Sequence, residues 1–141
     1  MAGQVNLDDW RLLAQFSQIF RTVSDAFAEQ VDVPRGQAMV LCVVAKQEGM
    51  TQSEIADALS VQGATVTSTL QRLEEAGLVV RHRDPDDNRL VRVSLTELGI
   101  QKEHSLNAQF ATLQELILKG ISEEERAMLR QQIQHIIANM T

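Results

Sequence analysis

A mainly helical chain carrying one small β-hairpin is what this sequence predicts, on three observations. Apolar residues recur at helical spacing towards both ends of the chain. Two short segments in the middle switch to a period of two around a cluster of turn formers. Thr51-Gln52-Ser53-Glu54 and Ser122-Glu123-Glu124-Glu125 have the form of capping boxes, which open helices. Composition agrees with a soluble, helix-rich domain. Of 141 residues 44% are hydrophobic and 23% charged, only 4% are aromatic with no tyrosine, and Pro34 and Pro85 are the two prolines.

From about Asp8 to Gln30 the apolar positions Leu12, Phe16, Ile19, Phe20, Val23 and Phe27 predict one long helix, ended by Val31-Asp32-Val33-Pro34. Gln37 to Glu48 is nearly solid apolar. Its β-branched residues make a strand conceivable, but Gly49 behind it suits the C′ position of a buried helix. The first capping box opens a short helix that faces Ile55, Ala56 and Leu59 inward and breaks at Ser60-Val61. A second helix runs from about Gln62 to Ala76 and closes at Gly77.

Leu78 to Arg83 and Leu90 to Leu95 read as two strands, with Val91, Val93 and Leu95 alternating against Leu90, Arg92 and Ser94. Asp84-Pro85-Asp86-Asp87-Asn88 between them is a polar hairpin tip. Thr96 can N-cap a helix running to Lys119 and stopped by Gly120. The last helix carries Leu129, Ile133, Ile136, Ile137 and Met140 on one side.

Several classes are disfavoured. No apolar run reaches the ~20 residues needed to span a bilayer, and the polar, acidic start from Met1 to Asp9 is not a secretory signal. The lone Cys42 forms no internal disulfide and fits a reducing cytoplasm; within an apolar run it reads as structural rather than redox-active. His82, His104 and His135 lack ligand spacing, so no metal site is expected. No cofactor is expected, and no nucleophilic triad emerges from His82-Arg83-Asp84 or the serines. The net charge of −6 argues against indiscriminate coating of nucleic acid, yet leaves room for a local DNA surface.

The order helix, helix, helix-turn-helix, hairpin, helix, helix is the plan of a winged helix. Residues 1–141 are expected to form a single domain, with the winged helix-turn-helix lobe at 50–96. Apolar-striped helices flank it at 8–30 and 97–141, where a stripe with nothing else to cover it suits dimerisation. The stretch from Thr51-Gln52-Ser53-Glu54-Ile55-Ala56 through Val66-Thr67-Ser68-Thr69-Leu70-Gln71-Arg72-Leu73-Glu74-Glu75-Ala76-Gly77-Leu78-Val79 resembles the MarR (multiple antibiotic resistance regulator) family. So do Arg81, Asp87-Asn88-Arg89 and Leu95-Thr96. The resemblance implies a homodimeric transcription regulator that binds a palindromic operator in double-stranded DNA and commonly represses. It also implies release by a ligand, often a small aromatic acid, and no enzymatic activity. The chain departs from many relatives at Gly63 and Ser68, where they carry Arg or Lys.

A recognition helix presents the face opposite its core contacts, N-terminal part deepest. Val66, Leu70 and Leu73 define the buried side, so the candidate DNA contacts are Gln62, Ala64, Thr65, Thr67, Ser68, Gln71 and Arg72. Methyl groups suit thymine and glutamine suits adenine; the bland alternative is an ordinary exposed polar face. Arg89 at the wing tip is the strongest candidate, drawn to a narrow minor groove and oriented by Asp87, against the alternative of a weak surface ion pair. Arg81 is expected to support the wing, pairing internally with a wing acid. A ligand pocket is expected where the flanking helices meet the lobe, with Phe16, Phe20, Met39 and Cys42 as candidates; the plain reading of each is core. Thr51 to Leu95 holds five arginines (72, 81, 83, 89, 92) against seven acids (54, 57, 74, 75, 84, 86, 87). That balance favours the competing class, a winged-helix protein-interaction module with little DNA affinity.

Overall fold

The computed structural model describes residues 6–141; residues 1–5, in the polar start, lie outside the described residues. Asn6 starts helix α1 (Leu7–Glu29) by accepting the amides of Asp8 and Asp9. The chain then turns through Asp32, left-handed at φ 58°, into α2 (Arg35–Lys46). That helix begins two residues earlier than the apolar run suggests. Pro34 is already set for helix entry and its carbonyl accepts the Ala38 amide at 2.9 Å, closing the first turn.

Gly49 corrects the expected end of this helix. The last helical residue is Lys46, and Gln47 is already extended at φ −145°, ψ 108°. Gly49 sits further on, at φ +74°, in the turn into a strand with no sequence signal of its own, β1 (Met50–Thr51). The capping box then opens α3 (Gln52–Leu59): Glu54 N donates to Thr51 Oγ1 at 3.2 Å and Thr51 N to Glu54 Oε2 at 2.7 Å. Ser60, left-handed at φ 52°, ends it.

Helix α4 (Gly63–Glu75) closes in a Schellman turn. Leu78 N reaches Leu73 O at 2.9 Å and Gly77 N reaches Glu74 O at 3.0 Å, with Gly77 at φ +73°. The turn feeds β2 (Val79–Arg83), which pairs antiparallel with β3 (Val91–Leu95) from Val79↔Leu95 to Arg83↔Val91. β1 adds to the other edge of β3 through Met50↔Val93 and Thr51↔Arg92, giving the order β1-β3-β2. Thr96 caps α5 (Glu97–Ile117) through the Gly99 amide at 3.0 Å, and Ser122 caps α6 (Glu123–Met140) in the second capping box. Gly120, at φ +84°, lies between these two helices.

The chain divides into two compact units, one reaching to Phe110 and the other Ala111–Thr141. In the first, α2 packs on α3, α4 and β3, and Leu41, Val44, Ile55, Val66, Leu70, Leu73, Val79, Val93 and Leu106 are almost wholly buried. Each such aliphatic side chain contributes about 1.5–3 kcal/mol over an exposed one. Because Val66, Leu70 and Leu73 lie at i, i+4 and i+7, their burial fixes the rotation of α4 and turns the opposite face outward. In the second unit Arg126 donates to Leu118 O and Ile121 O, both at 3.1 Å, tying the start of α6 to the preceding turn. No residue of α6 is buried.

Gly99 marks the tightest approach in the first unit, since a Cβ there would lie 2.0 Å from the Leu78 carbonyl oxygen. Gly99→Ala therefore destabilises the protein by about 1–3 kcal/mol, the scale of overpacking, in urea unfolding. Gly63→Ala, with nothing within 4 Å of the added methyl, leaves stability unchanged or raises it slightly. Equal midpoints for the two variants would contradict the packing described.

Candidate nucleic-acid interface

The outward face of α4 carries Ala64, Thr65, Thr67, Ser68, Gln71 and Arg72, all exposed, with exposed Gln62 as the N-cap residue ahead of it. Its hydroxyl protons are largely committed within the helix-turn-helix. Thr67 Oγ1 donates to Gly63 O at 3.0 Å and accepts from Gln52 Nε2 of α3 at 3.1 Å. Ser68 Oγ donates to Thr65 O at 3.0 Å. Gln71 Nε2 donates to Glu75 Oε1 at 3.2 Å, while Gln62 makes no side-chain capping bond. Arg72 forms no ion pair among the described residues and supplies the one cation of α4.

The wing is organised around a buried acid. Asp84, 7% exposed, accepts the amides of Asp86 at 2.7 Å and Asp87 at 3.0 Å on Oδ1 and takes the guanidinium of Arg92 on Oδ2. Arg92 Nη1 also donates to Gly49 O at 2.7 Å. It therefore braces the hairpin against the turn that precedes α3. Asp87, oriented by this turn, grips Arg89 with both oxygens, at 3.0 Å to Nε and 3.1 Å to Nη2. The Arg89 side chain stays 89% exposed, so the pair aims a cation outward without covering it. Such an exposed pair adds little to stability. Arg83 Nη1 holds the Asn88 carbonyl at 2.7 Å across the loop.

Arg81 differs from expectation. Its partner is Glu74 of α4, at 2.6 Å from Nη2 and 3.0 Å from Nε, rather than a wing acid. The Schellman turn reverses the chain between them, so β2 returns beside the end of α4. The arginine joins wing to helix and holds the Glu74 carboxyl below its ordinary range.

The four pocket candidates separate. Phe16 and Phe20 stack on each other on α1 with centroids 5.6 Å apart, yet they are 55% and 46% exposed, and Met39 on α2 is 42% exposed. None of these three is core. Only Cys42 packs against the core, half-buried, and burial, with Glu103 adding to it, pushes its thiol pKa up and away from thiolate chemistry. No group of three His, Cys, Asp or Glu side chains among the described residues could hold a metal ion. Among the described residues no helix is long and apolar enough to cross a membrane.

An antiparallel wing following a helix-turn-helix defines a winged helix-turn-helix protein. A profile described as the MarR family matches residues 31–90. The chain is 34% identical over 119 residues to the HTH-type transcriptional regulator YwoH of Bacillus subtilis, covering 82% of this chain and 85% of that one. It is 30% identical over 121 residues to an HTH-type transcriptional regulator of Bacillus cereus, covering 85% and 80%. The S. aureus MepR–DNA complex superimposes with a TM-score of 0.82 at 26% identity, covering 92% of this chain and 94% of that one. A mutant of MarR from E. coli complexed with operator DNA gives 0.81 at 26% identity, covering 89% and 91%. The chain belongs to the MarR family; it is a transcriptional regulator and not an enzyme.

The wing turn carries a pH signature. Arg92 first, then the amides of Asp86 and Asp87, hold the Asp84 carboxyl below its ordinary 3.8. A folded pKa below the unfolded one gives stability that is complete above the ordinary value and is lost as pH falls through the folded one. Asp84→Asn lacks that charge. It is less stable than wild type at neutral pH, and its stability falls less as pH drops below the ordinary carboxylate range in urea titrations. Identical pH dependence in the two proteins would contradict this account.

Proposed function

We propose that this regulator is a homodimeric repressor that grips a palindromic operator in double-stranded DNA and releases it on binding a small aromatic ligand. The carrying observation is the pairing, within one unit, of an outward polar recognition face with a braced wing that presents Arg89. A helix of α4's length enters the major groove N-terminus first, and an oriented arginine suits an adjacent narrow minor groove. Arg72 and Arg83, also exposed, suit phosphates. The overall charge of −6 keeps binding to arbitrary sequence weak.

Uncovered apolar residues support the homodimer. Leu12, Phe16 and Ile19 on α1 are 61%, 55% and 52% exposed, and Met128 and Ile137 on α6 are 64% and 50% exposed. A second copy covers such surface symmetrically, and a two-fold dimer calls for a palindromic site. The stacked Phe16–Phe20 pair and exposed Met39 offer an apolar, aromatic surface to a planar ligand.

Titrating the protein against the DNA upstream of its own gene tests the reading. Selective binding is expected, with log affinity falling steeply against log salt, and Arg89→Ala weakens it roughly tenfold per half-site while scrambled DNA binds poorly. Absence of selectivity there and across a randomised library would contradict DNA reading and favour a protein-interaction module. By sedimentation the wild type is expected as a dimer at micromolar concentration. The pair Ile133→Asp and Ile137→Asp, at side chains exposed in the protomer, yields folded monomer with weakened operator binding. A monomeric wild type would contradict the homodimer.

A further inference from the structure

We infer that α4 reads A·T base pairs, through thymine methyls and adenine amino groups, and carries no reader for guanine. The inference rests on the DNA-binding function proposed above and specifies what that site accepts. Guanine presents two acceptors, N7 and O6, to the major groove and is matched by the donor fork of an arginine or by a lysine. The face of α4 that can enter the groove, positions 64, 65, 67, 68 and 71, carries neither. Arg72 lies in the last turn, about 100° round the helix from Gln71, and is assigned to the phosphate backbone rather than to a base.

The hydrogen bonds already made within the protein decide what the remaining side chains can offer. Thr67 has given its proton to Gly63 O and one lone pair to Gln52, so its γ-methyl is its main outward chemistry. Ser68 has given its proton to Thr65 O and turns only lone pairs outward. Gln71 has committed an amide proton to Glu75, which leaves its carbonyl oxygen free. The face is therefore rich in methyls and acceptors, and Thr65, whose carbonyl accepts from Ser68 and Thr69, adds one hydroxyl that can donate or accept. Acceptors meeting guanine O6 or N7 repel. They bind an amino group, adenine N6 or cytosine N4, so the choice of A·T falls to the methyls of Ala64 and Thr67, which pack on the C5-methyl that separates thymine from cytosine. Gln62, free of capping duty, and Gln71 can each set a carbonyl oxygen on adenine N6 and an amide proton on N7 together, a pairing that the O6 acceptor of guanine refuses.

Arg89 also favours A·T sequence, through minor-groove width, so the test must act on the major groove alone. Operators are selected from a randomised duplex library with the purified protein. Thymines at the positions contacted by α4 are then replaced by uracil, which removes only the C5-methyl, and guanines by 7-deazaguanine. The selected half-sites are expected to hold A·T pairs at those positions. Each uracil there lowers affinity about threefold to fivefold, the scale of one methyl group, and 7-deazaguanine has no effect. Ser68→Arg, which supplies a donor fork, shifts one position towards guanine by at least tenfold relative to wild type. A guanine required by the wild type at those positions and sensitive to N7 deletion overturns the inference while leaving DNA binding intact. Indifference to uracil overturns it equally. Failure to select any sequence removes the DNA-reading function itself, and this inference with it.

Discussion

The guanidinium of Arg92 joins parts of the chain that lie far apart in sequence. On one side it meets the buried Asp84 carboxylate at the base of the hairpin loop, and on the other it donates to Gly49 O in the turn before α3. Arg92 itself stands in β3, paired across to His82 and to Thr51. A single cation thus sets the wing against the start of the helix-turn-helix. Asp84 passes the constraint on, because the same carboxylate holds the amides of Asp86 and Asp87, and Asp87 grips Arg89. The exposed arginine at the tip is aimed by a chain of bonds that ends at a backbone carbonyl beside α3.

A comparable constraint acts on α4. Its buried ridge of Val66, Leu70 and Leu73 sets its rotation, and Arg81 locks its last turn to β2 through Glu74. Packing decides which face is outward, while internal hydrogen bonds decide what that face offers. Arginines 81 and 92 are consumed by these internal duties. The cations left to meet DNA are fewer than the five arginines of the lobe, and the exposed ones are Arg72, Arg83 and Arg89. An acidic protein with few free cations depends on placement rather than on general attraction to polyanions.

Features set by neighbouring residues were legible in the sequence. Both capping boxes, the left-handed Gly77, the polar hairpin tip and the Asp87–Arg89 pair involve groups within a few positions of one another, so spacing alone specifies them. Features that depend on chain return were not. Strand β1 is two residues long and shows no alternation; it exists because Met50 and Thr51 meet β3 more than forty positions later. Arg92 could not be told from a phosphate-binding arginine while its Gly49 partner was hidden by the same distance. For Arg81 sequence proximity points to the wing acids, but the turn at Gly77 brings Glu74 back as its partner instead. Apolar character likewise fails to separate core from surface for Phe16, Phe20 and Met39, because α1 and α2 carry more apolar side chains than the first unit buries.

On the function proposed above, the braced wing tip and α4 meet the DNA together, the tip in a minor groove flanking the major groove that α4 enters. Iron–EDTA tethered to Asn88→Cys in a Cys42→Ser background tests this most directly, by mapping strand cleavage on the selected operator. Cuts are expected only at positions on either side of the operator centre, symmetric about it, with the strand offset characteristic of a minor groove. Cleavage spread evenly along the duplex, or none while binding persists, would contradict that placement.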